Sequence, residues 1–290
     1  MSVDGETELG LSLGGAQLTG PRLTETAALA EELGYRSIWS SEAWGQDAFT
    51  PLAFIAAATE SIGIGTAIAQ IAARTPAATA MTALTLQALS GGRLLLGLGV
   101  SHVPLVEVRK HAYGKPLATM RAYLRGMAEA DYRGIAPPAP PKTVLAALGP
   151  KMLELSAELA DGAHPYNVPP EHTRQARRIL GAGKLLCVEQ AAILETNAAD
   201  ARAIARRFLA FYFGLPNYVD NWRRLGFTDP DFAGGGSDRL IDAIIAWGDE
   251  KAIRARIQEH WQAGADQVCV QAVGPTLLPD ERLLALLAPR

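Results

Sequence analysis

Residues 62–102, IGIGTAIAQIAARTPAATAMTALTLQALSGGRLLLGLGVSH, constrain the fold more than any other stretch of the chain. They read as strand, helix, strand. Two apolar strands, each ending in small residues, flank an alanine-rich helix with few charges. Strands apolar at successive positions belong to a parallel sheet covered on both faces. In such sheets the ligand sits beyond the carboxyl ends of the strands. Here those ends are Ala67-Ile68-Ala69-Gln70 and Gly97-Leu98-Gly99-Val100-Ser101-His102. The active site is expected there.

The same alternation runs through the rest of the chain. Strands are expected at Glu8–Leu13, ending in the turn Gly14-Gly15, and at Ser37–Ser41, Thr143–Leu148, Gly162–Tyr166, Leu185–Leu194 and Asp266–Val273. Helices are expected at Leu23–Leu33, Phe49–Thr59, Leu117–Ala130, Gly149–Leu159, Pro170–Leu180, Ala198–Phe213 and Glu250–Ala263, with Leu283–Leu287 closing the chain. The segment 214–247 breaks the rhythm with prolines and glycines around one helix, Asp238–Trp247, and is too short for a core of its own. The prediction is α/β: one (β/α)8 barrel domain spanning 1–290, with that insertion before the last βα unit. An open doubly wound sheet is the alternative, but it needs no eighth unit.

Composition narrows the function classes. A net charge of −3 argues against a nucleic-acid partner. No run approaches the roughly 18 apolar residues of a membrane span. The acidic start MSVDGETELG lacks the basic and apolar regions of a signal peptide, so a cytoplasmic location is expected. Cys187 and Cys269 lie inside apolar runs and read as buried strand cysteines rather than a disulfide or a catalytic thiol.

The five histidines form no His-x-His or His-Glu-x-x-His pattern, and metal chemistry is not expected. No Gly-x-Ser-x-Gly elbow or Walker-type loop is present. What remains is a mouth of small residues and backbone amides. That suits a large flat cofactor whose own ring carries the reaction. Gly149-Pro150-Lys151 places amides and a cation at a helix start, which suits a phosphate but also an ordinary turn. Glu42, at the end of the second strand, either receives a ligand hydrogen bond or proton, or is a solvated loop charge. Trp44 either walls a ring pocket or packs against the insertion. The run Arg174, Arg177, Arg178, Lys184 reads as the wet face of a helix.

Taken together, segments 33–59, 62–101, 113–124, 145–162 and 264–271 resemble the luciferase-like monooxygenase superfamily, in particular its branch using the deazaflavin coenzyme F420. The pieces are LGYRSIWSSEAWGQDAFTPLAFIAAAT, IGIGTAIAQIAARTPAATAMTALTLQALSGGRLLLGLGVS, YGKPLATMRAYL, LAALGPKMLELSAELADG and GADQVCVQ, in the order of one barrel. The resemblance implies a non-proline cis peptide at Ala67-Ile68, backing the ring. It implies cofactor contacts from Thr66, Ala67, Ile68 and Gln70, from Gly99, Val100, Ser101 and His102, and from Ala147, Gly149, Pro150 and Lys151, the last three taking the phosphate. Glu42 matches an acidic position near the ring and is the implied catalytic residue. Substrate would meet Trp44, Tyr166 and Tyr212, with Phe211 and Tyr218 nearby.

One departure is plain. Sugar-phosphate dehydrogenases of this branch carry a catalytic histidine after that acid, where this chain has Ala43. This argues against a sugar-phosphate substrate and leaves the proton donor unassigned. The expectation is an F420-dependent oxidoreductase acting on a small organic molecule, as a homodimer. An FMN-dependent monooxygenase of the same superfamily and a non-catalytic barrel subunit are the alternatives.

Overall fold

The computed structural model of the 290-residue chain describes residues 8–14, 18 and 20–289. Gly15, placed above in the first turn, lies outside them. β1 (Glu8–Ser12), α1 (Gly20–Glu32), β2 (Ser37–Ser40) and α2 (Phe49–Ala58) lead to β3 (Gly63–Thr66), β4 (Ala69–Gln70) and α3 (Pro76–Leu89). Then come β5 (Leu94–Gly99), α4 (Val103–Glu107), α5 (Pro116–Ala128), β6 (Lys142–Leu145), α6 (Pro150–Leu159), β7 (Gly162–Ala163), α7 (Pro170–Leu180) and β8 (Leu185–Leu194). After these follow α8 (Ala198–Leu209), α9 (Pro216–Arg224), α10 (Asp229–Phe232), α11 (Asp238–Ile244) and β9 (Ala246–Gly248). The last elements are α12 (Glu250–Gln262), β10 (Gln267–Ala272) and α13 (Glu281–Leu287). No helix among the described residues is long and apolar enough to cross a membrane.

The named strands pair in parallel, and β10 pairs with both β8 and β1, so the sheet closes on itself. With β3 and β4 taken as one interrupted strand and β9 lying off the circuit beside the end of β8, eight strands form the barrel. This is the (β/α)8 architecture read from the sequence; an open doubly wound sheet would have left two edges.

Trp39 of β2 fills the barrel interior with Leu95, Val144, Cys187 and Cys269. Glycine opposite it is a packing requirement: a Cβ on Gly65 would stand 2.3 Å from the indole. Both cysteines are buried and free, and burial pushes their thiols up, so they behave as small apolar residues.

Several boundaries differ from the sequence reading. The helix after β8 stops at Leu209, not Phe213, and a 3-10 turn covers Tyr212–Gly214. Segment 214–247 contains α9, which had been missed because Pro216 reads as a break; here it opens the helix, where a missing N–H costs nothing. The helix expected to run to Trp247 ends at Ile244 and gives way to β9. The strand expected to reach Tyr166 is regular only over Gly162–Ala163, with one bridge from Tyr166 to Glu189.

Behind β8, His260 ties three elements together: Nδ1 meets Thr173 Oγ1 at 2.8 Å and Nε2 meets Gln190 Oε1 at 2.9 Å. Burial, with Arg256 and His172 nearby, pushes its pKa down to about 3. The folded ring therefore stays neutral while the unfolded ring takes a proton near its ordinary value. Its stabilisation is complete above about pH 6.5 and declines toward pH 3, by up to about 1.4 kcal/mol per pH unit. The urea midpoint should fall between pH 7 and pH 5, and fall less in His260→Gln; equal falls would remove His260 as the cause.

Candidate active site

The β3–β5 ladder runs from Ile64↔Leu94 to Gly65↔Leu95 and resumes only at Ala69↔Leu98. Thr66 spans the gap with its side chain: Oγ1 donates to Gly97 O at 2.7 Å and accepts from Gly97 N–H at 2.8 Å. This frees Ala67 and Ile68 to bulge toward the mouth, and the peptide between them is cis, as the resemblance implies. Ile68 then lies over the glycines of β5, where a Cβ on Gly99 would be 2.5 Å from Ile68 Cδ1. Gly99 is thus needed for the bulge and not only for a ligand.

Two cavities meet over Ile68. The inner one, about 180 Å³, is lined by Glu42, Gln70, His164, Tyr166, Glu189 and Tyr212, among others. The outer, about 320 Å³, shares Ile68, Ser101, His102, His164 and Tyr166 and continues to Gly99, Val100, Ala147, Gly149 and Arg224. Aromatic rings close one side: Tyr166, Tyr212, Tyr218 and Phe211 stack edge to face. Tyr212 donates to Tyr166 at 3.2 Å and Tyr166 to Gln271 Oε1 at 2.9 Å. Burial pushes all three phenols up, Tyr212 to about 12, so they remain donors. His102 is half-buried; burial lowers its pKa, partly opposed by a hydrogen bond to Asn217.

Glu42 lines the inner cavity with its carboxylate already engaged. Arg74 donates to Oε2 at 2.8 Å and to Oε1 at 2.6 Å, and Gln70 N–H donates to Oε2 at 2.8 Å. Gln70 Nε2 donates back to Glu42 O at 2.6 Å and its Oε1 receives Ser101 Oγ at 2.8 Å. This chain of bonds clamps the loop after β2 to the bulge and to the loop after β5.

Most residues named from the sequence therefore converge: Glu42, Ala67, Ile68, Gln70, Ser101, His102, Tyr166 and Tyr212 inside, with Gly99, Val100, Ala147 and Gly149 outside. Thr66 is buried beneath the bulge. Trp44 is 58% exposed and lines neither cavity. Pro150 and Lys151 also stand outside the lining, with Lys151 on the solvent side of α6.

The cation beside Gly149 is instead Arg224, at the end of α9; a Cβ on Gly149 would lie 3.3 Å from its Nη2. No side chain caps the first turn of α6 at Gly149, and the Arg224 guanidinium stands beside that helix start. Glu189 and His164 were also missed. A single carboxylate in the ten-residue strand LLCVEQAAIL was the available signal for Glu189; nothing local marks His164.

A profile for the family described as luciferase-like monooxygenase matches residues 7–267. A Mycobacterium tuberculosis protein, Rv3520c, named provisionally as a coenzyme F420-dependent oxidoreductase, is 31% identical over 330 residues, covering 91% of this chain and 95% of its own. The 5,10-methylenetetrahydromethanopterin reductase of Methanolobus tindarius is 28% identical over 300 residues, covering 88% and 91%. Among solved structures, an F420-dependent secondary alcohol dehydrogenase in complex with an F420-acetone adduct superposes with a TM-score of 0.79 at 14% identity, covering 97% of each chain. At that identity the superposition speaks for the fold.

Proposed function

Because the chain belongs to the luciferase-like monooxygenase family, we propose that it is a cytosolic F420-dependent oxidoreductase acting on a small organic substrate. The observation that carries this reading is the pair of joined cavities running from the Ile68 bulge to Gly149 and Arg224. One apolar wall suits a planar ring, and a helix start beside a guanidinium suits a phosphate. When bound, the coenzyme supplies a ring carbon that accepts or returns a hydride.

The chain's own residues bind, orient and screen. Ile68 backs the ring, held there by the Thr66–Gly97 bonds. Ser101 and Gln70 fix the loop along the ring's tail. Tyr166, Tyr212 and Tyr218 exclude water; the Tyr166 and Tyr212 protons are already given to Gln271 and Tyr166, which leaves Tyr218 to donate to the substrate.

Titration of the purified protein with F420 and with FMN tests the reading. F420 should bind one per chain; tight FMN binding with none of F420 would favour the monooxygenase alternative and sink this one. Binding of neither cofactor would support a non-catalytic barrel.

We further propose a homodimer formed on α2 and α3. Neither helix carries a charged residue, yet Ala53, Phe54, Ala57 and Ala58 of α2 and Ala77, Met81, Thr85 and Leu89 of α3 are exposed. Phe54 and Met81 are 55% and 57% exposed, in a contiguous apolar face of the kind that marks an interaction site. Light scattering should give the mass of a dimer, and Phe54→Glu with Met81→Glu that of a monomer. A monomeric wild type would refute this.

A further inference from the structure

His164 follows β7, and its ring lies flat on the indole of Trp39, with centroids 4.7 Å apart and planes at 11°. Its Nε2 stands 3.4 Å from Glu189 Oε2, and the two side chains are only 2% and 5% exposed. Ser12 Oγ donates to Glu189 Oε1 at 2.5 Å and accepts from Gly14 N–H at 3.1 Å. His164 and Glu189 both line the inner cavity.

What sets this histidine apart is that, among the described residues, neither ring nitrogen has a hydrogen-bond partner. The other deeply buried histidines are tied down: His172 Nε2 meets Leu148 O at 2.7 Å, and His260 is bonded at both nitrogens. An unpaired buried polar group costs about 1–3 kcal/mol, and a ring without a hydrogen bond at a cavity wall has one to offer a ligand.

We propose that His164, oriented by Glu189, is the proton-transfer group of the site, and that the substrate is an uncharged alcohol or ketone with an apolar body. This rests on the F420 reading above. In oxidation the substrate's C–H electron pair leaves as hydride to the deazaflavin, the O–H proton passes to a ring nitrogen of His164, and the C=O bond forms. Reduction of the ketone reverses each transfer. Glu189 Oε2, 3.4 Å from Nε2, sets the orientation of the ring. Ser12 from β1 and Trp39 from β2 contact this unit as neutral groups. Tyr166, Tyr212 and Tyr218, kept protonated, line the same cavity, and His102 and the Arg74-bound Glu42 complete its described titratable lining.

The substrate class follows from the walls. Ile68, Leu105, Phe211 and Tyr218 are largely apolar, and the described lining of the inner cavity includes no lysine or arginine. An anionic substrate would meet the Glu189 carboxylate with no lysine or arginine in the described lining to pair with it.

The first test needs no substrate. A protonated imidazole stacked on an indole quenches its fluorescence, so Trp39, isolated by difference from Trp39→Phe, reports the His164 proton. Acidifying the apoprotein should produce a quenching step that is absent in His164→Gln. Absence of a His164-dependent step would overturn the proposal.

The second test uses reduced F420 with cyclohexanone. At saturating F420, ketone reduction in His164→Gln should fall about 100-fold or more, and free imidazole should restore rate to His164→Ala. Undiminished reduction in His164→Gln would overturn the proposal. F420 binding without cyclohexanone reduction by the wild type would overturn this proposal alone. No F420 binding at all would overturn the earlier reading and this one with it.

Discussion

Arg224→Ala is expected to weaken F420 binding on the order of 50-fold, the size of a lost charge-assisted hydrogen bond of about 2–3 kcal/mol. Lys151→Ala should change it by less than about threefold, as befits an exposed charge. The reason is placement. Lys151 follows the first residue of α6, but its side chain stays out of the cavity lining, whereas Arg224 reaches Gly149 from the far side. Arg224 is also well anchored, since Trp222, two residues earlier, is fully buried and donates from Nε1 to Asn167 O at 3.0 Å. Fluorescence titration of F420 at low and high salt measures both variants, and the difference should narrow as salt rises. A larger loss from Lys151→Ala than from Arg224→Ala would return the phosphate to the lysine.

This contrast shows where the sequence was legible. The barrel could be read because a parallel strand buried on both faces leaves an apolar run, and LLLGLG is buried at every position. Strand ends then point to the mouth, and Ile68, Gln70, Ser101, His102 and Tyr166 line one cavity there. The rule fails for side chains, because a strand end fixes a backbone position and not a direction. Trp44 and Lys151 sit where expected along the chain and turn outward.

Other features depend on partners distant in sequence. Gly65 is a glycine because Trp39 occupies its side-chain space, and Gly99 because Ile68 does. Nothing in IGIG or LGLG distinguishes room for a neighbour from room for a ligand. Glu189 is a lone charge in an apolar strand; only its meeting with His164, from the preceding strand, gives it chemistry. Arg224 lay in a segment whose proline concealed a helix.

Glu42 is the sharpest case, since its assignment as a catalytic acid can be separated from the role its bonds describe. Arg74→Met should destabilise the protein by about 3 kcal/mol, because it leaves a buried carboxylate facing only the Gln70 amide. The guanidinium also lies 5.0 Å from the Phe49 ring of α2, and methionine keeps the apolar part of that contact, so the loss reports the removed charge. In Glu42→Gln with Arg74→Met the uncompensated charge is gone, and the melting temperature should recover much of its fall. If Glu42 holds the bulge, Arg74→Met lowers melting temperature and F420 affinity together. Hydride transfer at saturating cofactor then changes little. If Glu42 is the proton donor, Glu42→Gln abolishes transfer while the melting temperature and F420 affinity stand. The bidentate pairing and the Gln70 bond, which commit both carboxylate oxygens, favour the first outcome.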